Sequence, residues 1–97
     1  MPEFSTPYNG KKLDRKLTQE ELIRTIRFSI AAEFEAIQLY EQIAETTDNE
    51  QVKEIMLDIA DEEKVHVGEF LHILKSVSPD DEKFYDEGEK EAKEHLT

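Results

Sequence analysis

Ninety-seven residues suffice for one small domain and not for two, and so short a chain leaves much of its surface exposed unless a partner covers it. Twelve basic against 24 acidic side chains give a net charge of -12, so nucleic acid and anionic membrane would be repelled while cations are attracted. Cysteine is absent, which excludes disulfides, thiolate metal sites and a cysteine nucleophile and suits a reducing cytoplasm; no apolar run approaches the roughly 20 residues of a membrane span, and the Met1-Pro2 start lacks the apolar stretch of a signal peptide.

Residues 1–17 combine Pro2, Pro7 and Asn9-Gly10 with Lys11, Lys12, Arg15 and Lys16 and show no periodicity, the pattern of a mobile arm. Thr18-Gln19-Glu20-Glu21 then has the spacing of a capping box, with Leu17 and Leu22 placed for a hydrophobic staple, so a helix is predicted from about Thr18 to about Glu45. Thr46-Thr47-Asp48-Asn49 supplies turn and cap residues, and Thr47 to Glu50 repeats the capping-box spacing. A second helix is therefore predicted from about Asn49 to Val77. Ser78-Pro79-Asp80-Asp81 offers a cap, a proline at the first helical position and acids in the first turn. Residues 79–97, with eight acids, three lysines and Gly88, read as a short acidic helix or a partly ordered tail. The fold class is thus all-α: an antiparallel two-helix hairpin over residues 18–78, with arms about 40 Å long, followed by the acidic C-terminal element.

The three-and-four spacing that faces a partner helix selects Ile23, Ile26, Ile30, Glu33, Ile37, Tyr40 and Ala44 on the first arm. On the second it selects Val52, Met56, Ile59, Glu63, His66, Phe70, Ile73 and Val77. Glu33, Glu63 and His66 thus fall where aliphatic residues would pack better, near the middle of each arm. A second apolar stripe, with Leu22, Ala36, Leu39 and Ile43 on the first arm and Leu57, Ala60, Val67, Leu71 and Leu74 on the second, implies a second kind of neighbour. The pattern alone does not assign which stripe lies inside the hairpin.

A buried carboxylate costs several kcal/mol unless paired, protonated or bound to a cation. No arginine or lysine stands in either seam, so two carboxylates and an imidazole facing inward are best satisfied by a metal. Glu63 and His66 form a Glu-x-x-His pair, the spacing that sets an oxygen and a nitrogen ligand one turn apart in di-iron and di-manganese carboxylate bundles. Such bundles use two lone glutamates and two Glu-x-x-His pairs. One chain supplies half of that set, so two chains are expected to meet face to face with a pair of metals on or near the two-fold axis, completing a four-helix bundle. A plainer alternative stays open for each residue: a seam glutamate can set register or snorkel to water. Glu62 shares a face with His66 at i,i+4 and is a candidate to orient its imidazole, or it pairs with a surface lysine. His72 and His95 lie off the seam.

The segment Glu33-Phe34-Glu35-Ala36-Ile37-Gln38-Leu39-Tyr40, followed by Asp61-Glu62-Glu63-Lys64-Val65-His66, resembles the encapsulated ferritins, two-helix ferritin-like proteins found inside or fused to encapsulin shells. The resemblance spans roughly residues 18 to 78. It implies Glu33, Glu63 and His66 as iron ligands, Tyr40 beside the centre, and oxidation of Fe(II) by dioxygen at a site holding two iron ions per dimer. It further implies a ring of five dimers, Fe(III) delivery to a mineral inside the shell, and a cytoplasmic location within that nanocompartment. Tyr40 is otherwise a core aromatic with a hydrogen-bonded hydroxyl.

Two departures stand out. Some members carry an acid just before the liganding glutamate and a tryptophan further on, which with the acid matching Glu35 admit the metal; here Ala32 and Leu39 occupy those positions, leaving Glu35 alone or a different path. Nor does the chain end in an apolar peptide resembling a shell-docking tag, so a fusion through Lys90 to Thr97, or action without a shell, is the corresponding expectation. Two other classes remain beside the ferroxidase. A rubrerythrin-like peroxide reductase would use the same di-iron site but usually a cysteine centre as well, and a metal-free helical oligomerisation module would place charge pairs in the seam.

Overall fold

A computed structural model describes residues 12–95; the expectation of a mobile arm falls largely on residues 1–11, outside the described residues. Three helices follow in order: α1 Gln19–Thr46, α2 Glu50–Val77 and α3 Pro79–His95. No strand occurs among the described residues. α1 begins where its cap predicts. The Thr18 hydroxyl accepts from the Glu21 N–H at 3.1 Å, and the Glu21 carboxylate accepts from the Thr18 N–H at 2.9 Å. Arg15 adds two bonds of 2.7 Å to the same carboxylate. That guanidinium, followed by the Thr18 amide, holds the Glu21 carboxyl at about 2.

The turn between α1 and α2 differs in its chemistry from the expected second capping box. Thr47 closes α1 through its N–H to Ile43, and the cap of α2 is Asn49, whose side chain accepts from the Val52 N–H at 3.0 Å. The Thr47 hydroxyl instead accepts from the Asn49 N–H at 3.1 Å, so it shapes the turn rather than capping a helix.

The two arms lie antiparallel, and α1 buries the expected ridge: Ile26, Ile30, Ile37 and Ala44. The seam expected on α2 needs a correction. Met56, Glu63, Phe70 and Val77 are partly buried as expected, but the intervening buried positions are Ala60, Val67 and Leu74 rather than Ile59, His66 and Ile73. Ala60, fully buried, lets the helices approach closely, and Leu74 is 1% exposed; burying a leucine contributes about 1.5–3 kcal/mol. This turns α2 so that His66 and Ile73 stand on the flank, Ile73 being 43% exposed. The densest packing gathers toward the open end of the hairpin, where Ile26, Ile30 and Leu74 meet Leu22, Ile23, Phe70, Leu71 and Val77. Gln19 closes that end by donating to the Val77 carbonyl at 2.6 Å.

The backbone of α3 comes close only to that of α2, and α3 reaches α1 through the Arg27–Asp81 ion pair. The overall extents of 50 × 45 × 20 Å are those of a hairpin with a helix standing off it, because a 28-residue helix alone is about 42 Å long. Its first turn is tied down by Asp81, which receives hydrogen bonds from Arg27 of α1, from Ser78 and from Tyr85.

Candidate metal centre

Glu33 lies on the buried ridge of α1 between Ile30 and Ile37, and Glu63 on that of α2 between Ala60 and Val67, so both carboxylates point into the hairpin. Their side chains are 20% and 19% exposed. His66 follows Glu63 by one turn but sits on the flank with 48% of its side chain exposed. The expectation of His66 as a core residue is thus corrected: Val67 takes the interior position. The imidazole nevertheless reaches back over the carboxylates, with its Nδ1 3.7 Å from Glu33 Oε2 and 3.6 Å from Glu63 Oε2.

Those separations exceed a hydrogen bond. They match donor atoms around one ion, since ligands bound at about 2 Å stand roughly 3–4 Å apart. One ligand atom from each of Glu33, Glu63 and His66 lies within 4.8 Å of the others, and among the described residues no other such group of His, Asp or Glu forms. Glu33 Oε2 is buried and has no hydrogen-bond partner. Among the described residues no lysine or arginine pairs with Glu33 or Glu63. An orphaned carboxylate oxygen between a second carboxylate and an imidazole is the environment that a hard divalent cation satisfies.

The other expected residues stand apart from this group. Glu62 is exposed, as is Glu35 on the outer side of α1. Tyr40 is half-buried and, with Ala32, Glu35, Ala36 and Leu39, lines a mainly apolar groove of about 450 Å³. Two neighbours of the centre went unnoticed in the sequence. Glu69 lines a cleft of about 310 Å³ together with Glu33, His66, Phe70 and Ile73; its i,i+3 spacing from His66 was the available signal. Lys64, beside Glu63 in sequence, bridges to Glu41 of α1 at 2.9 Å and contacts Asp61 at 3.4 Å. The Glu41 carboxylate, then Asp61, raises the Lys64 pKa. This pair fastens the arms to each other on the side away from the cleft.

No helix of the described residues is long and apolar enough to cross a membrane. A family model described as rubrerythrin matches residues 25–96. A ferritin-like-encapsulin shell fusion protein of Pyrococcus furiosus is 48% identical over 67 residues, which are 69% of this chain and 19% of that protein. An encapsulin nanocompartment cargo protein, EncC of Myxococcus xanthus, is 41% identical over 80 residues, 82% of this chain and 60% of the relative. The chain thus spans about a fifth of the first relative and three fifths of the second. Among solved structures, the crystal structure of the encapsulated ferritin domain from Pyrococcus furiosus superposes with a TM-score of 0.83 at 41% identity, covering 90% of this chain and 89% of that one.

Proposed function

The chain belongs to the rubrerythrin family and is an encapsulated-ferritin-type domain, and on that premise we propose that it is a ferroxidase, oxidising Fe(II) to Fe(III) with dioxygen at a di-iron site shared between two copies. The observation that carries this reading is the Glu33, Glu63 and His66 group with its unpartnered buried oxygen. Fe(II) is the substrate. The two carboxylates hold it with hard, adaptable oxygen ligands that favour the ferric product, and the single imidazole per chain leaves positions open for dioxygen or water. Two ferrous ions together supply two electrons, which with two protons convert dioxygen to hydrogen peroxide.

A single chain offers two carboxylates and one imidazole, half of the ligand set of a di-iron bundle. The position of His66 on an open flank supports completion by a second copy, because a two-fold partner set against that face would bring the matching three ligands to the same level. In this reading residues 18–78 are the iron-handling hairpin, residues 79–97 an accessory acidic helix, and the dimers join into a ring. Tyr40 neighbours the centre, Glu62 orients His66 and Glu35 admits the metal. The encapsulin shell is the proposed partner and the nanocompartment within the cytoplasm the proposed location, supported by the names of the two relatives, one a cargo and one a shell fusion. The net charge of -12 supports attraction of Fe(II) and speaks against nucleic acid or membrane as partners.

A second reading, peroxide reduction at the same site, is favoured by the rubrerythrin match; without cysteine in the chain it needs an external electron donor. Anaerobic Fe(II) loading followed by stopped-flow mixing with dioxygen or peroxide decides between them. We expect one iron per chain, faster turnover with dioxygen, and loss of activity in Glu33→Ala, Glu63→Ala and His66→Ala. Faster turnover with peroxide would favour the reductase. Absence of iron binding would remove both readings, and activity that survives all three substitutions would remove the assigned ligands.

A further inference from the structure

The cleft beside the metal centre holds a carboxylate that the ligand set does not use. Glu33 from α1 and His66, Glu69, Phe70 and Ile73 from α2 enclose about 310 Å³. Two candidate ligands therefore share one open space with Glu69, which is itself exposed. Glu62, the other acid one turn from His66, does not line this cleft, and neither does Glu35 on the outer side of α1.

Among the described residues no lysine, arginine or histidine forms an ion pair with Glu69. Its helix neighbours three and four residues away are Val65, His66, His72 and Ile73, so no lysine or arginine stands where a surface glutamate ordinarily finds a partner. Phe70 and Ile73 are apolar and offer a passing cation nothing to bind. Glu69 is thus the carboxylate that an ion in the cleft can use before it reaches Glu33. Residues three apart on a helix have Cβ atoms about 5–6 Å from each other, which puts an ion on Glu69 one short step from the His66 imidazole. Beyond His66 lies the buried Glu33 Oε2, which has no hydrogen-bond partner.

We propose that this cleft is the passage by which divalent cations move between solvent and the centre, with Glu69 as the carboxylate that holds them in transit. The inference rests on the proposed metal centre and adds to it a route on the flank of α2, separate from Glu35. A transit carboxylate quickens both arrival and departure and is not a ligand of the bound ion. Its exposure keeps the hold weak, because water competes for the cation and salt screens the charge, and a weak hold lets the ion travel on.

Anaerobic stopped-flow mixing of the full chain with Co(II), followed by an EDTA chase, measures both rates without turnover, with circular dichroism as the check on folding. Glu69→Gln is expected to slow Co(II) association about tenfold. Its Kd should change by no more than about threefold, so that dissociation slows as well, and the Co(II) bound per chain should stay as in the wild type. Glu69→Asp should recover most of the lost rate, and Glu45→Gln, which removes an acid near the turn between α1 and α2, should leave it unchanged. Glu69→Gln rates equal to those of the wild type would overturn the proposal, as would a Glu35→Gln variant that alone slows binding. A Glu69→Gln variant with lowered Co(II) stoichiometry would overturn it too, because Glu69 would then be a ligand of the bound ion. A wild type that binds no Co(II) would remove the centre and the passage together, whereas normal binding with unaltered Glu69→Gln rates would remove the passage alone.

Discussion

Glu33→Leu separates a residue kept for a ligand from one kept for the fold. In the metal-free protein Glu33 Oε2 is buried without a partner, and a buried polar group in that state costs about 1–3 kcal/mol. The side chain is 20% exposed, so water reaches part of it, and the lower portion of that range applies, about 1–2 kcal/mol. A leucine between Ile30 and Ile37 removes that cost and adds apolar burial of about 1 kcal/mol. The variant should therefore be about 2–3 kcal/mol more stable than the wild type in EDTA, which for a chain of this size raises Tm by roughly 8–24 °C. With Co(II) at about 100 times its dissociation constant the wild type gains roughly 2.7 kcal/mol and the variant nothing, so the difference should close. Urea unfolding followed by circular dichroism, at one fixed protein concentration because subunit association contributes to stability, measures both conditions. A Glu33→Leu chain no more stable than the wild type in EDTA would refute the argument, because Glu33 would then be supporting the hairpin rather than straining it.

Asp81 has its pKa lowered to about 2 from 3.8, first by the Tyr85 hydroxyl, then by Ser78 and Arg27. Its contribution is full above the ordinary value and fades as pH falls through the folded one, so α3 should loosen between about pH 4 and pH 2. Asp81→Asn should show no such transition in that window by helical circular dichroism. Thr18→Ala should lower the free energy of unfolding by about 1 kcal/mol, because the Glu21 N–H loses its acceptor; an unchanged urea midpoint would mean that Arg15 and Glu21 hold the helix start unaided. Lys64→Met should cost no more than about 1 kcal/mol in the same assay, since the Lys64–Glu41 pair is half exposed.

The helix ends were legible because they are local chemistry. Thr18 with Glu21, and Ser78 with Pro79, declare a start within four residues. Glu33 was legible as an acid among isoleucines, and Glu63 as its counterpart. The rotation of α2 was not legible, because two heptad series run side by side along it. One passes through Ile59, His66 and Ile73, the other through Ala60, Val67 and Leu74. Side-chain hydrophobicity favours isoleucine over alanine at the first of these pairs, yet Ala60 is the residue that is fully buried. Close approach of two helix backbones rewards a small residue, a pairwise property that no single-helix pattern contains. The Asp81 joint was hidden for a similar reason, since Arg27 and Asp81 stand 54 residues apart and an acid in the first turn of a helix looks like an ordinary surface charge.

The small residues at Ala44 and Ala60 leave the hairpin unevenly stiff along its length. Toward the open end, isoleucine, leucine and phenylalanine interlock in one cluster; toward the turn, the arms rely on close approach around two alanines and Ile37. Amide hydrogen exchange should follow the same gradient, slowest around Ile26, Ile30 and Leu74 and faster near the turn. The carboxylates of Glu33 and Glu63 lie at the boundary between these regimes, with a stiff wall on one side and a compliant one on the other. That places the hairpin's mechanical give where carboxylates would need to swing as the charge beside them changes.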